Sequence, residues 1–404
     1  MDNRVFSAAA MRFVAAHIKD DPVALRLKYS GKSLDDIDID FAITQIEARR
    51  KASSKLPAAL ACPDFVFPTA LAAEQCTGEI LAGLHAEIAG QPGDALDMTC
   101  GLGIDAMSLC RHGWRVKTFD IGETHIAAVR HNAARLNISG LEAIHGDSVD
   151  YLCRHASADR FDLVFADPAR RAADNRRTYS FADCSPDILQ AMPLIRRTAP
   201  RLIVKASPML DVDAVTASLP GLNNLYILSV RNECKELLCD CDTRAETVKE
   251  VTVHAIDISS DGSATRFSFP WGNGSKYEKI SAVLPQTSQI LHIPNSSVMK
   301  VISRVSLTDV YPGLSKLDRD SHLYVGDYAA TGFPGRIMAI EKVLPYNKKA
   351  ARELSNGAFN LVCRNFPDTP SQVIKKLKIK EGGNKYLIAT RTAGSICLLL
   401  CTSL

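Results

Sequence analysis

The spacing of apolar residues changes twice along the chain and divides it into three regions. Up to about residue 90, apolar residues recur at the three- and four-residue spacing of amphipathic helices, over residues 8–18, 22–29 and 34–51. From there to about residue 246, short apolar runs alternate with helical patterns, which is typical of a parallel α/β sheet. Beyond it, period-two strands alternate with short helices. The pattern predicts a helical region, an α/β domain and a smaller α+β part.

Residues 95–121 form the most informative segment, because they predict strand, glycine turn, helix and second strand in that order. An apolar run ends at Asp97, the turn contains Gly101 and Gly103, and the second strand ends at Asp120. Glycine permits positive φ and has no Cβ, so a ligand can lie directly on the backbone. A carboxylate at the position of Asp120 can accept hydrogen bonds from both hydroxyls of a ribose. The segment therefore predicts a site for a nucleoside.

Two details of this segment distinguish between possible nucleoside ligands. Ala106 occupies the place of the third glycine of a dinucleotide fingerprint, and Asp97 lies four residues before the first glycine. A carboxylate beside the turn would repel a pyrophosphate but suits an ammonium group. S-adenosylmethionine carries an amino acid and a ribose and no phosphate, and the segment resembles motif I of the class I S-adenosylmethionine-dependent methyltransferases. A helix-capping glycine turn in an unrelated α/β sheet is the alternative interpretation.

Acidic residues also follow the next two predicted strands. The strand over residues 141–145 precedes Asp147 and Ser148, which are placed to bind the amino group of adenine. The strand over residues 161–166 is apolar, as expected of a central parallel strand, and it ends at Asp167. Ligands bind at the carboxyl ends of such strands. These positions are therefore predicted to belong to one site.

The residues after the fourth strand read Asp167-Pro168-Ala169-Arg170-Arg171. In methyltransferases that modify base nitrogens, this position typically holds D/N-P-P and an aromatic residue, and the acid or the proline carbonyl accepts a hydrogen bond from the target nitrogen. Alanine and arginine replace the second proline and the aromatic residue here, so the target atom stays open. Arginine can stack on a base or bind phosphate. A solvated loop, which continues through Arg176, Arg177 and Tyr179, is the alternative.

Composition sets broad limits on the function. The chain has 404 residues, 46% of them hydrophobic and 23% charged, as in ordinary globular proteins. A net charge of +3 does not by itself indicate nucleic-acid binding, so any basic surface must be local. No apolar run is long enough to span a bilayer and no signal peptide is recognised, so we expect a cytoplasmic protein. The twelve cysteines favour buried thiols, with a zinc site at Cys234, Cys239, Cys241 and His254 as the alternative.

Basic residues gather near the C-terminus. They are Lys348, Lys349, Arg352, Arg364, Lys375, Lys376, Lys378 and Lys380. Such a cluster can bind a phosphate backbone, and a solvated basic helix is the other interpretation.

Several sequence blocks together resemble one family over roughly residues 70–404. They are Glu74-Gln75-Cys76, the glycine turn, Asp167 to Arg171, Lys205 to Asp211, Asn232 to Leu238, and the tail from Arg364-Asn365-Phe366-Pro367 to Gly382-Gly383. The family is that of bacterial class I methyltransferases with a ferredoxin-like domain and a C-terminal THUMP-like domain. The resemblance implies a Rossmann-like sheet over residues 91–275 after a helical region at 1–90, a ferredoxin-like domain at 276–335 and a THUMP-like domain at 336–404. Because THUMP domains belong to enzymes that modify transfer RNA, it also implies an RNA substrate.

The predicted function is S-adenosylmethionine-dependent methylation of RNA, at a base nitrogen of transfer or ribosomal RNA. The predicted cofactor-binding residues are Gln75, Asp97, Thr99, Gly101, Gly103, Asp120, Ile121, Asp147 and Ser148. Catalysis is assigned to Asp167, Pro168 and Arg170, and substrate binding to Arg171, Lys205 and Asn232. The alternatives are a methyltransferase acting on a protein or small molecule, and an RNA-binding module without catalysis.

Overall fold

The computed structural model describes residues 7–32, 34, 37–155, 160–170, 181–245, 250–272 and 278–404, and the side chains of Arg170 and Ala182 fall outside the description. Arg171, Arg176, Arg177 and Tyr179 also lie outside the described residues. The chain packs as two compact units. The first is Met1–Asn224 with Leu237–Lys249, and the second is Leu225–Glu236 with Glu250–Leu404.

Helices fill the first part of the chain, as predicted. They are α1 (Ala8–His17), α2 (Pro22–Tyr29), α3 (Ile39–Ala52), α4 (Pro57–Leu60), α5 (Ala70–Gln75) and α6 (Glu79–Ala89). The helix predicted to begin at residue 34 begins at Ile39 instead, because the Asp38 carboxylate accepts a hydrogen bond from the Phe41 amide at 2.9 Å and caps it there. Residues Leu34 and Ile37 form an isolated β-bridge before this cap.

A parallel sheet organises the first unit. Its elements are β1 (Asp94–Asp97), α7 (Ile104–Arg111), β2 (Arg115–Asp120), α8 (Glu123–Arg135), β3 (Leu141–His145), α9 (Ser148–His155), β4 (Leu163–Ala166), the short pair β5 (Ala169–Arg170) and β6 (Cys184–Ser185), α10 (Ile188–Thr198), β7 (Arg201–Ala206) and α11 (Val212–Ser218). The next two strands are β8 (Leu222–Val230) and β9 (Glu233–Asp242), and their residues Leu225–Glu236 belong to the second unit. The order across the sheet is β7-β4-β1-β2-β3, all parallel, with β9 antiparallel beside β7. The carboxyl ends of β1, β2, β3, β4 and β7 therefore lie along one edge, where α/β sheets bind ligands.

The second unit contains an antiparallel hairpin and a seven-stranded sheet. The hairpin joins β10 (Val251–Ile258) and β11 (Ala264–Trp271), as predicted. The sheet contains β12 (Ile290–Pro294), β13 (Ser315–Lys316), β14 (Tyr324–Gly326), β15 (Gly335–Pro345), β16 (Ala358–Arg364), β17 (Lys380–Thr392) and β18 (Ser395–Ser403), in the order β13-β14-β12-β15-β18-β17-β16. Helices α14 (Lys348–Leu354) and α15 (Pro370–Leu377) pack on one face of this sheet. Two short helices, α12 (Ser296–Met299) and α13 (Leu307–Val310), precede them in the chain.

The predicted α/β fold class is confirmed, whereas one local prediction in the second unit differs from the structure. The single helix predicted near residues 297–306 is broken into α12, a 3-10 turn at Ile302–Arg304, and α13. The boundary predicted between residues 335 and 336 stays a prediction; β15, which begins at Gly335, pairs with β12. Among the described residues, no helix is long and apolar enough to cross a membrane.

Candidate active site

The glycine turn after β1 uses its two glycines differently. Gly101 and Gly103 both have positive φ, +53° and +75°. A Cβ on Gly101 would meet no atom within 4 Å, whereas one on Gly103 would lie 2.9 Å from Cγ1 of Val129 on α8. Gly101 therefore leaves an open backbone surface, and Gly103 permits close packing of the turn against α8.

Gly103→Ala is expected to lower the free energy of unfolding by about 2–5 kcal/mol, because the left-handed backbone and the contact with Val129 both oppose a side chain. Gly101→Ala is the matched control, since it has the same backbone conformation and no steric contact, and it should cost about 1–2 kcal/mol. Urea titration of both variants measures the difference. Equal losses would contradict the packing role of Gly103.

Asp97, the last residue of β1, is buried in the sheet edge. Its Oδ2 accepts a hydrogen bond from the Thr118 hydroxyl at 2.7 Å, and its Oδ1 accepts one from the Thr99 amide at 3.0 Å. Burial raises the pKa of Asp97 to about 7, although these hydrogen bonds act in the opposite direction. No basic side chain in the described part of the chain pairs with it. Asp97 is thus a buried carboxylate without a cation.

Asp120, at the end of β2, is bonded to the glycine turn. Its Oδ2 accepts a hydrogen bond from the Gly101 amide at 3.0 Å, and its Oδ1 accepts one from the Gly122 amide at 2.8 Å and lies 3.1 Å from Nδ1 of His125. Burial opposes the charge of Asp120, but these donors outweigh it and hold its pKa below the ordinary value. The bond to Asp120 raises the pKa of His125. The next residue, Ile121, is 77% exposed.

The third strand brings Asp147 and Ser148 to the same edge. The Gly146 amide donates to the Asp120 carbonyl at 3.0 Å, which ties the end of β3 to the end of β2. Oδ1 of Asp147 accepts hydrogen bonds from the Val149 and Asp150 amides at 2.7 and 3.1 Å, so this side chain caps α9, and Ser148 is buried. Among the described contacts, neither side chain is bonded to the other predicted site residues.

Asp167, the residue after β4, is joined to β1 and β7. Its amide donates to the Thr99 hydroxyl at 2.6 Å, and the same hydroxyl lies 3.5 Å from Oδ1 of Asp97. Its Oδ2 accepts a hydrogen bond from Nζ of Lys205 at 2.7 Å, and its side chain remains 43% exposed. Pro168 is half-buried beside it. The structure therefore links Asp97, Thr99, Asp167 and Lys205 in one hydrogen-bonded network.

Two members of this network, Asp105 and His85, were missed from the sequence. Asp105 lies in the first turn of α7, and Nδ1 of the buried His85 on α6 is 2.7 Å from its Oδ1. Burial opposes the charge of Asp105, but Lys205 and His85 outweigh it and hold its pKa well below the ordinary value. The Thr77 hydroxyl donates to Oδ2 of Asp105 at 2.6 Å. A polar residue inside each apolar helix was the only sequence signal for this pair.

The other predicted site residues lie elsewhere. Gln75 is exposed at the end of α5. Glu79, at the start of α6, accepts hydrogen bonds from the Ala58 and Ala59 amides and so caps α4.

Asn232 lies in the second unit, in the β8–β9 turn. Its Oδ1 accepts a hydrogen bond from the Ser296 amide at 2.7 Å, and its own amide donates to Asp257 at 2.9 Å. These contacts give Asn232 a structural role in that unit, and its predicted contact with substrate stays a prediction. The backbone of Arg170 forms part of β5, which pairs with β6.

Comparisons with known proteins agree with the fold. A crystal structure of a proposed methyltransferase from Porphyromonas gingivalis W83 matches with a TM-score of 0.82 and 25% identity, over 100% of this chain and 98% of that one. The chain is also 33% identical over 61 residues to the ribosomal RNA small subunit methyltransferase C of Alcanivorax borkumensis, which is 15% of this chain and 19% of that protein. The chain thus spans about a fifth of the length of this curated relative.

The sheet order and the structural match define the class: the chain has the fold of the class I methyltransferases. Residues 335–403 match the family model for a THUMP domain-like domain. The resemblance inferred from the sequence is therefore confirmed for the methyltransferase fold and for the THUMP-like C-terminal part.

Proposed function

We propose that this protein is an S-adenosylmethionine-dependent methyltransferase that modifies RNA at a base nitrogen of a transfer or ribosomal RNA. The observation that carries the proposal is the row of carboxylates at adjacent strand ends. Thr99 is hydrogen-bonded both to Asp97 and to the backbone of Asp167. Two residues further along the same turn, the Gly101 amide donates to Asp120. An ammonium group, a ribose and an acceptor nitrogen each require one such carboxylate.

The residues around the glycine turn fit this cofactor. The backbone at Gly101 is open, as the space around its absent Cβ indicates. Asp97 is buried without a cation in the described part of the chain, so it suits a ligand that brings its own ammonium group. Asp120 would bind the ribose, and the exposed Ile121 beside it offers an apolar surface for the adenine ring. Asp147 and Ser148 stay predicted contacts of the adenine amino group.

In the proposed mechanism the protein aligns the acceptor and receives its proton. When bound, S-adenosylmethionine supplies a methyl group on a positively charged sulfur, open to in-line attack by nitrogen. Asp167 accepts a hydrogen bond from the N–H of the acceptor, which fixes the direction of its lone pair. As the nitrogen bonds to the methyl carbon and the carbon–sulfur bond breaks, the nitrogen would lose this proton, which the Asp167 carboxylate is placed to take. Pro168 supplies a second acceptor through its carbonyl group.

The RNA part of the proposal rests on charge in the second unit. The eight basic residues of the C-terminal cluster are all exposed, although Lys376 pairs with Asp368 at 2.7 Å. Six of them belong to or closely follow α14 and α15, which pack on the same face of the sheet. Basic side chains on one surface attract a phosphate backbone. The THUMP-like family model and the name of the ribosomal RNA methyltransferase relative support the same substrate class.

Methyl transfer to total RNA tests this function. The purified protein is incubated with methyl-labelled S-adenosylmethionine and RNA from a strain that lacks it, and the labelled nucleoside is then identified. Label in one methylated nucleoside, abolished by ribonuclease, is the expected result. Label that survives ribonuclease would favour a protein or small-molecule substrate, and salt-dependent RNA binding without label would favour a non-catalytic module.

Asp120→Ala is expected to weaken S-adenosylmethionine binding about tenfold to a hundredfold, because it removes the charged acceptor of the ribose hydroxyls. Calorimetric titration measures the dissociation constant. The matched control is Arg115→Ala, which removes an exposed charge from the amino end of the same strand, β2, and should leave binding unchanged. Unaltered binding to Asp120→Ala, or none to the wild type, would remove the cofactor assignment.

A further inference from the structure

Lys205 is a buried lysine at the proposed site. It lies near the carboxyl end of β7 with 7% of its side chain exposed. Its Nζ is 2.7 Å from Oδ2 of Asp167, 2.7 Å from Oγ1 of Thr77 and 3.6 Å from Oδ2 of Asp105. The ammonium group donates hydrogen bonds to Asp167 and Thr77 and forms an ion pair with Asp105, and these three residues belong to three different segments of the first unit. Its direction is therefore fixed.

Asp105, which pairs with the same ammonium group, is also held in place. Asp105 has 12% of its side chain exposed, and it is bonded to the Thr77 hydroxyl and to His85. A buried carboxylate with these partners stays in place, and so does the ammonium beside it. The second oxygen of Asp167 differs from the first: no hydrogen bond among the described residues uses Oδ1.

We infer that Lys205 is a positioning residue, which holds Asp167 by one carboxylate oxygen so that the other faces the acceptor nitrogen. The inference rests on the proposed function and replaces the predicted contact of Lys205 with substrate. Asp105 and Thr77 hold the ammonium, and the ammonium holds Asp167.

The charge pattern is difficult to explain by stability alone. A buried ion pair is often no more stabilising than well-packed apolar residues, because both ions lose their hydration. The two members of this pair also differ in exposure, since Lys205 is 7% exposed whereas Asp167 is 43% exposed and remains accessible. A carboxylate that must accept a proton from a substrate has to be both exposed and held in a fixed direction.

A double-mutant cycle tests the inference, with Lys205→Met, Asp167→Asn and the double variant assayed on the labelled RNA substrate. Lys205→Met is expected to lower kcat about tenfold to a hundredfold, as loss of alignment does, with the Kd for S-adenosylmethionine and the KM for RNA little changed. Because Lys205 acts through Asp167, the double variant should be no slower than the slower single variant. Multiplicative losses would overturn the inference and leave the proposed function intact.

Two further measurements keep the test decisive. If Lys205→Met fails to fold by circular dichroism, Thr77→Val takes its place in the cycle, because it removes one acceptor of the ammonium and keeps the side-chain shape. It should lower kcat about threefold to tenfold, the effect of one hydrogen bond, and only while Asp167 is present. An equal loss in the Asp167→Asn background would overturn the inference. Absence of methyl transfer by the wild type would overturn the proposed function and this inference together.

Discussion

Replacing Asp167 by alanine is expected to lower kcat for methyl transfer by about a hundredfold to ten-thousandfold, the usual contribution of a positioned proton acceptor. The variant removes the oxygen that receives the hydrogen bond of the acceptor nitrogen. It leaves the glycine turn, Asp97 and Asp120 in place, so S-adenosylmethionine should bind with nearly the same Kd. Single-turnover transfer from labelled cofactor to RNA measures the chemical step, and calorimetry measures cofactor binding.

The control for this prediction is Asp162, which lies at the other end of β4 from Asp167. Asp162, one residue before β4, accepts a hydrogen bond from the Asp94 amide at 2.9 Å at the opposite edge of the sheet. Asp162→Ala therefore removes a carboxylate from the same segment without changing the site, and its kcat should match the wild type. Equal activity of Asp167→Ala and the wild type would exclude Asp167 from the reaction.

The elements that the sequence predicted well are those with local signals. The helix at Ile104–Arg111 was predicted with the correct bounds because glycines stand on both sides of it, and β3 because an apolar run ends at Gly146. In the C-terminal part, α15 also carries local signals, a proline at its first position and the Thr369 cap. In each case the signal lies within the element or next to it.

Elements defined by distant partners were not predicted. Strand β9 was missed, because its residues Cys239 and Cys241 suggested buried thiols rather than a strand, and its place is set by antiparallel pairing with β7. The helix expected near residues 297–306 is interrupted, and no local residue type marked the break. Local propensity is a weak guide where tertiary packing decides.

The site divides in the same way. Asp97, Asp120 and Asp167 could be chosen from the sequence, because each follows an apolar run and parallel strands end at one edge. The bond from Lys205 to Thr77 spans 128 residues, and His85 meets Asp105 across two helices. No spacing rule predicts such contacts. The contact of Lys205 with Asp167 depends on the pairing of β7 with β4 in the folded sheet.

Asp97→Asn is expected to change how stability depends on pH more than any other single substitution in this site. The pKa of Asp97 is about 7 in the folded protein and that of an unfolded aspartate is near 4. Between these values the folded state holds a proton that the unfolded state has lost, so wild-type stability falls as pH rises from about 4 to about 7. The pKa difference corresponds to a decrease of about 4 kcal/mol in the free energy of unfolding of the wild type, and Asp97→Asn should not show this decrease.

Urea titrations at pH 4, 5.5 and 7.5 measure this effect as the difference in unfolding free energy between wild type and Asp97→Asn, in which the other titrating groups cancel. Asp150→Asn is the control, since Asp150 is exposed on the first turn of α9, and its difference from wild type should stay nearly constant. A difference for Asp97→Asn that does not change with pH would show that Asp97 is ionised throughout the range, which the absence of a basic partner among the described residues argues against.

Burial favours the protonated form of Asp97, whereas binding of a cation beside it should favour the ionised form. If the ammonium of S-adenosylmethionine lies near Asp97, it favours the ionised carboxylate, and cofactor affinity must rise as pH increases through about 7. The Asp97→Asn variant should lack this rise. Methylthioadenosine, which has the adenosine and sulfur but no ammonium, should bind wild type without it. A rise with methylthioadenosine as well would assign the pH dependence to another group and separate Asp97 from the amino acid of the cofactor.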